Sequence, residues 1–277
     1  KVFDTRAGLF DMRLHYTYMD AKDVNPSQSS TVSSNYGRPA TFDRNNRQLS
    51  TSDFEIEHRF NGSISWSKNL FGDNQTQIST FFEYRSGKRF SYTMREQPFD
   101  TAVFGGDSTF ARRDSQLLYV PLENDPNVIF SFTPGDTVND PALEQNFNNF
   151  VNQAGLAGYR GQIMPRNHDT TDGRTKIDLR IQQEIGVASL PGVGDRAIDL
   201  FLDIENRGNM INNDWGRVEQ VFFPHNFIAV GEVSINANGQ YVYGPFGSGN
   251  FDGGIDPASF FELPSLWQAQ MGVRIRF

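Results

Sequence analysis

The chain has 277 residues, a net charge of -8, a hydrophobic fraction of 37% and a mean hydropathy of -0.52. It contains no cysteine, which excludes a disulfide scaffold, a zinc-thiolate site and thiol chemistry, and its acidic balance argues against non-specific nucleic-acid binding. No apolar run approaches the length of a membrane-spanning helix, so a helical membrane protein is excluded. A membrane β-barrel is not, because its strands alternate and average out to polar. The start, "KVFDTRAGLF", lacks a basic region followed by an apolar core. A leader is therefore expected to have been removed or to lie upstream.

Strict alternation, the mark of a strand with two different environments, recurs along the chain. Phe10, Met12, Leu14, Tyr16 and Tyr18 oppose Asp11, Arg13 and His15. Phe54, Ile56, His58, Phe60, Ile64 and Trp66 oppose Asp53, Glu55, Glu57, Arg59 and Asn61. Ile78, Thr80, Phe82 and Tyr84 oppose Ser79, Phe81, Glu83 and Arg85. Ile177, Leu179, Ile181 and Ile185 oppose Asp178, Arg180 and Gln182. Ile198, Leu200, Leu202 and Ile204 oppose Asp199, Phe201, Asp203 and Glu205. Last, Trp267, Ala269, Met271, Val273, Ile275 and Phe277 oppose Gln268, Gln270, Gly272, Arg274 and Arg276. The polar faces carry both signs of charge where an ordinary strand carries Thr and Ser, which suits a hydrated lumen. Arg180, Asp199, Asp203, Glu205, Arg274 and Arg276 are the residues expected to face it.

The connections alternate in length. Long ones near residues 22–52, 94–175 and 208–264 are interleaved with short ones such as "KNLFGDNQT" and "GVASLPGVGDR", the pattern of extracellular loops and periplasmic turns. Within the second long connection, Asp140 as N-cap, Pro141 at the first helical position and Gly155 as terminator predict a helix. Its face of Leu143, Phe147, Phe150 and Val151 is expected to pack on neighbouring loop residues. In the third, residues 218–223 and 227–235, with "NANG" turning into "QYVYG", predict hairpins standing above the membrane. About six membrane strands are legible, whereas closed bacterial barrels begin at about 8, so either strands are hidden in the loops or the chain is part of a larger barrel.

The residues resemble the C-terminal part of a TonB-dependent outer-membrane receptor, particularly of the Oar-like group. "EHRFNGSISW" (57–66) looks like the family's descending strand, and "FFEYRSGKRFSYT" (81–93) like the ascending strand that ends in a Ser-Gly signature. "DSQLLYVPLENDPNVIF" (114–130) is similar to an Oar-type loop, and "GYRGQIMPRNHDTTDGRTKIDLRI" (158–181) to its return into the membrane. "DLFLDIENRGNMINNDWG" (199–216) resembles the strand and turn that carry an Asn-Leu-Leu-Asn motif, here degenerate, and "WQAQMGVRIRF" the closing strand. The resemblance implies an all-β fold, an antiparallel transmembrane β-barrel of about 22 strands filled by an upstream plug. This chain, 1–277, would supply the last strands and no plug. It also implies partners: the chain's own N-terminal barrel and plug, the TonB complex, outer-membrane lipid, and a barrel-assembly machinery that reads Trp267, Met271, Val273, Ile275 and Phe277. The implied location is the outer membrane of a Gram-negative bacterium.

The sequence carries no recognisable catalytic or cofactor signature. His15, His58, His168 and His225 are scattered without ligand spacing,, and nucleotide and nucleophile motifs are missing. Asp252 and Asp256 lie in a glycine-rich stretch without EF-hand spacing and read first as a loop. Neither an enzymatic activity nor a cofactor is expected. Phe222, Tyr241, Tyr243 and Phe246 are weak substrate-contact candidates, hairpin packing being the first reading. Two alternatives remain: a complete small barrel acting as adhesin or passive pore, and a secreted carbohydrate-binding β-sandwich. If the C-terminal strand carries the assembly signal, deletion of Phe277 lowers outer-membrane levels more than deletion of any residue in 22–52. Equal levels of both variants on membrane fractionation would contradict this.

Overall fold

The structure is a computed structural model that describes residues 1–97, 114–190, 194–221, 226–245, 251, 259–260 and 265–276, with backbone only at 187–190, 194–197, 220 and 259–260. It is predominantly β. The long alternating segments form one seven-stranded sheet. In chain order its strands are β1 (Val2–Thr5), β2 (Gly8–Tyr18), β3 (His58–Phe71), β4 (Asn74–Arg85), β5 (Arg174–Leu190), β6 (Gly194–Glu205) and β7 (Gln268–Arg276). Each is antiparallel to the next, so spatial order and chain order coincide.

Two expectations need correction. β1 is a seventh strand, too short at four residues for alternation to reveal. The second alternating segment enters the sheet only at His58. Residues 53–57 alternate in sequence but turn in space, the Glu55 amide donating to the Ser52 carbonyl at 3.2 Å. The Glu55 side chain is buried and accepts from Arg89 Nε at 2.9 Å. Five alternating residues do not distinguish a strand from a turn whose polar side chain has a buried partner.

The register aligns the alternation of every strand with that of its neighbours. Asp11 lies opposite Ser65, Ser65 opposite Ser79, Ser79 opposite Arg180, Arg180 opposite Asp203 and Asp203 opposite Gln270. One step along, Met12 lies opposite Ile64, Ile64 opposite Thr80, Thr80 opposite Leu179, Leu179 opposite Ile204 and Ile204 opposite Ala269. Adjacent residues of a strand point to opposite faces, so the sheet has one continuous polar face and one continuous apolar face. Two glycines are filled by the ring across the ladder: a Cβ on Gly62 would lie 2.1 Å from the Phe82 ring, and one on Gly272 2.2 Å from the Phe201 ring.

The short joins between β1 and β2, β3 and β4, and β5 and β6 lie at one end of the strands. The long connections, residues 19–57, 86–173 and 206–267, all leave from the opposite end of the strands, where Tyr18 pairs with His58, Arg85 with Arg174 and Glu205 with Gln268. They fold together into a cap. Its mixed sheet runs Val128–Phe130, Tyr241–Gly244, Phe227–Ile235, Arg89–Glu96 and Asp169–Thr170, with Gln116–Leu117 beside Arg89–Glu96. The expected hairpin between Phe227–Ile235 and Tyr241–Gly244 is present. It does not stand free: both its strands pair in parallel with strands of the second connection. Parallel pairing here is the mark of two connections interleaving.

The chain breaks from wall to cap at Ser86-Gly87. β4 ends at Arg85, next to the expected Ser-Gly signature, and the rest of "FFEYRSGKRFSYT" belongs to the cap strand Arg89–Glu96; a Cβ on Gly87 would lie 1.6 Å from the Thr171 carbonyl oxygen. The predicted helix spans Pro141–Gln153, with Asp140 accepting from the Ala142 and Leu143 amides. Gly155 follows in the left-handed region at φ 70°. Leu143, Phe147, Phe150 and Val151 are buried, as the pattern required. They join Phe90, Met94, Leu118, Phe130, Val230 and Phe251 in a core to which no described wall strand contributes. Phe147 is fully buried and rings with Phe130, Phe150, Tyr243 and Phe251 at 5.0 to 6.0 Å. Phe147→Ala is expected to destabilise the cap by about 3–5 kcal/mol. Hydrogen exchange should show the loss at amides of Val128–Phe130 and Tyr241–Gly244 while those of β3 to β6 stay protected.

Candidate functional site

Two regions concentrate polar chemistry: the polar face of the wall and the junction of the connections above it. On the wall, Arg180 Nη1 lies 3.3 Å from Asp203 Oδ2, and its guanidinium sits 4.7 Å above the Phe201 ring. Arg276 bridges Asp199 at 2.9 Å and Glu184 at 3.2 Å, and Asp199 is buried beneath that pairing. Lys176 reaches Asp178 at 3.0 Å and Glu205 at 3.5 Å. Arg59 Nε donates to Glu83 at 3.1 Å. The residues expected to face a lumen thus share one face. Five of the six, Arg180, Asp199, Asp203, Glu205 and Arg276, stand in ion pairs across strands, and Arg274 is exposed opposite Asp199. On the other face Met271, Val273 and Ile275 are exposed, and exposed Trp267 directly precedes β7. Phe277 lies outside the described residues.

Of the loop aromatics, Tyr243 is buried and its Oη donates to the Tyr119 carbonyl at 2.9 Å, so core packing takes it. Tyr241 packs partly buried at the edge of that core. Both line a cavity of about 350 Å³ with Phe42, Met94 and Leu117. Phe222 and Phe246 lie outside the described residues, as do His225, Asp252 and Asp256. Among the described residues no cluster of His, Asp or Glu is placed to hold a metal.

The degenerate asparagine motif has a structural role. Asn206, left-handed at φ 52°, ends β6. Its amide donates to Asp178 Oδ1 at 2.8 Å, and its Nδ2 to the Ser265 carbonyl at 2.6 Å and the Gly216 carbonyl at 3.3 Å. One buried side chain therefore ties the top of the wall to both arms of the third connection. Asn209 Nδ2 closes the intervening turn on the Asn213 and Trp215 carbonyls.

The junction of the first and second connections was not legible in the sequence. Arg166, 6% exposed, donates to the Asp23 carbonyl at 2.8 Å and to its carboxylate at 2.5 Å, and lies 3.6 Å from Asp53. Asn167, left-handed at φ 57°, donates to Asp53 and to the Thr51 carbonyl, and Gln28 donates to the other Asp53 oxygen. Arg166 and Asn167 lie more than 100 positions from Asp23, Thr51 and Asp53 in the chain, so no local pattern pairs them. Beside them opens a cavity of about 520 Å³, walled by Phe42, Arg47, Leu49, Ile163, Met164 and Arg166 among others. Burial pushes the Asp53 carboxyl up to about 6, against the opposing pull of its Asn167 bond and the Arg166 charge.

A scan against protein-family models, a search of curated proteins and a search of solved structures each found no match. The fold defines a coarser class: a mostly β protein with a two-faced antiparallel sheet under a folded cap. No helix among the described residues is long and apolar enough to cross a membrane.

The Asp53 shift has a definite sign. A carboxyl with a raised folded-state value binds more protons folded than unfolded between about pH 4 and 6, so its contribution to stability falls as pH rises through that window. Holding the carboxylate charged above that window costs the fold on the order of 3 kcal/mol,. Amides of 22–53 should therefore gain protection on acidification from pH 7 to 5. In Asp53→Asn that gain should be lost, and an unchanged gain in the variant would assign the effect to another group.

Proposed function

We propose that this chain is wall and extracellular cap of a TonB-dependent outer-membrane receptor of the Oar-like kind. The observation that carries the reading is the bare apolar face of the seven-stranded sheet. Leu14 is 70% exposed, Met271 78% and Val273 62%, and Phe60, Ile64, Ile181 and Leu200 are exposed on the same face. A soluble monomer rarely leaves a contiguous apolar patch of more than a few hundred Å² in water, and each large aliphatic side chain gains about 1.5–3 kcal/mol when fully taken out of it. Lipid satisfies that face while the polar face lines water.

Three features favour this over the alternatives. A sandwich requires a second sheet over the apolar face, and the cap sheet instead closes its own core. A small closed barrel requires the outer strands to meet, whereas β1 and β7 lie at opposite edges. Unpaired backbone is not tolerated in lipid, so those edges need further strands, which a larger barrel supplies. The wall strands β2 to β7 have 9 to 17 residues, enough for a tilted crossing of about 9–11.

In this reading the cap captures a scarce solute outside the cell. Energy delivered through TonB then displaces the plug and opens a path along the polar face. The ion pairs of Arg180, Asp203, Asp199 and Arg276 hold that face and meet the plug. Neither catalysis nor a resident cofactor enters the mechanism.

The decisive test labels the full-length protein in reconstituted bilayers at Leu202 and Asp203. The reading expects high accessibility to lipid-dissolved oxygen at 202 and low accessibility at 203; no contrast, or the reverse, would reject it. In parallel, Leu202→Arg should reduce folding into bilayers, a charge near the midplane costing about 2–4 kcal/mol, whereas Asp203→Asn should fold nearly as the parent does.

A further inference from the structure

We propose that the cavity between residues 40–50 and 163–166 is a binding site for a small organic monoanion, a carboxylate carried on an apolar ring or chain, with Arg47 as its anchor. The inference deepens the transport reading and rests on it for one point, that the cap faces the outside of the cell.

The cavity has the size and character of a small-molecule site. Its volume of about 520 Å³ falls in the range of drug-sized pockets. Its apolar wall is built from Val24, Ala40, Phe42, Leu49, Ile163 and Met164. Phe42, Leu117 and Ile163 also line the neighbouring cavity beside Tyr241 and Tyr243, so the two chambers share a partition. Apolar walls with few polar groups orient a ligand through those groups, and here the charged ones are Asp43, Arg47 and Arg166.

The two guanidinium groups are in different states. Arg166 already answers Asp23 and Asp53. Arg47 donates to the backbone carbonyls of Asn35, at 3.1 Å, and Tyr36, and its guanidinium carbon lies 5.9 Å from the centre of the Tyr36 ring. Tyr36 is itself fixed by its hydroxyl, which donates to Asn45 at 2.6 Å. Among the described residues Arg47 has no carboxylate partner. Burial, and then the charges of Arg166 and Arg44, lower its proton affinity. A half-buried cation held in place among like charges is stabilised by an incoming anion. Both Arg47 Nη2 hydrogens serve the Asn35 and Tyr36 carbonyls, which leaves Nη1 and Nε to donate a charge-assisted hydrogen bond to a carboxylate,. Asp43 on the same wall disfavours a second negative charge, which selects a monoanion over a phosphate monoester. The position also suits capture: the site lies where the first and second long connections meet, joined by the Ser50 hydroxyl donating to the Arg166 carbonyl at 2.6 Å.

The test is calorimetric titration of the full-length protein in lipid nanodiscs with naphthalene-2-carboxylate, its neutral isostere naphthalene-2-carboxamide, and naphthyl phosphate. The expected result is saturable binding of the carboxylate, at least tenfold tighter than the carboxamide or the phosphate. Arg47→Gln should abolish that preference without weakening the carboxamide, Arg47→Lys should retain part of it, and Ile163→Trp, which intrudes on both chambers, should weaken all three probes. Failure of the carboxylate to bind up to about 1 mM, equal affinity for carboxylate and carboxamide, or an unchanged preference in a folded Arg47→Gln protein would overturn the proposal. Each of these outcomes is independent of oxygen accessibility at Leu202, so a negative titration with a lipid-exposed wall rejects the site and leaves the transport reading standing.

Discussion

The constraint on which the structure depends is that apolar surface is gathered in two separate places. In the cap, the rings of Phe90, Phe130, Phe147, Phe150 and Phe251 close on one another and exclude water. In the wall, the pleat sends every second side chain to one face, and the ladder aligns those faces across seven strands. A slip of one residue in any pair would place charges such as Asp203 or Arg180 on the face that carries Leu202 and Leu179. The register is thus fixed by the need to keep charged side chains off the apolar face. The cross-strand pairs Arg180–Asp203 and Arg276–Asp199 reinforce it from the polar side.

The same separation positions the connections. All the long ones leave from one end of the strands, and their described residues are bound to one another. The Phe227–Ile235 strand of the third connection lies parallel to Arg89–Glu96 of the second, and Arg166 of the second is buried against Asp23 and Asp53 of the first. Such interleaving gathers segments of the connections onto one core, so the entropy cost of ordering them is shared,. Asn206 and Gly87 are the joints. The first hydrogen-bonds both arms of a connection at the strand end, and the second lets the backbone pass against Thr171.

In the proposed transport role, a packed roof with internal cavities suits selection of a solute, because a held group such as Arg47 loses little freedom on binding. The cost is a buried polar junction. Asp53 sits where burial opposes its charge, and its partners Asn167, Gln28 and Arg166 come from both connections. The junction is therefore the place where protonation bears most directly on how the first connection packs.

Much of the wall was legible in the residues. Alternation is a local property with a period of two, and six segments from Phe10 to Ile275 declared both their conformation and their faces. The helix of the cap was equally legible, because Asp140, Pro141 and Gly155 act within a turn of the backbone they cap. The four-residue β1 and the turn at 53–57 were not, since each depends on a partner elsewhere: Phe10 for Phe3 and Arg89 for Glu55. The pairing of Asp53 with Asn167 and of Phe227–Ile235 with Arg89–Glu96 lay beyond any sequence pattern. Local periodicity determines which face of a strand is oily, whereas tertiary structure decides which distant groups share a buried site, because only the folded chain sets the distances on which burial and charge act.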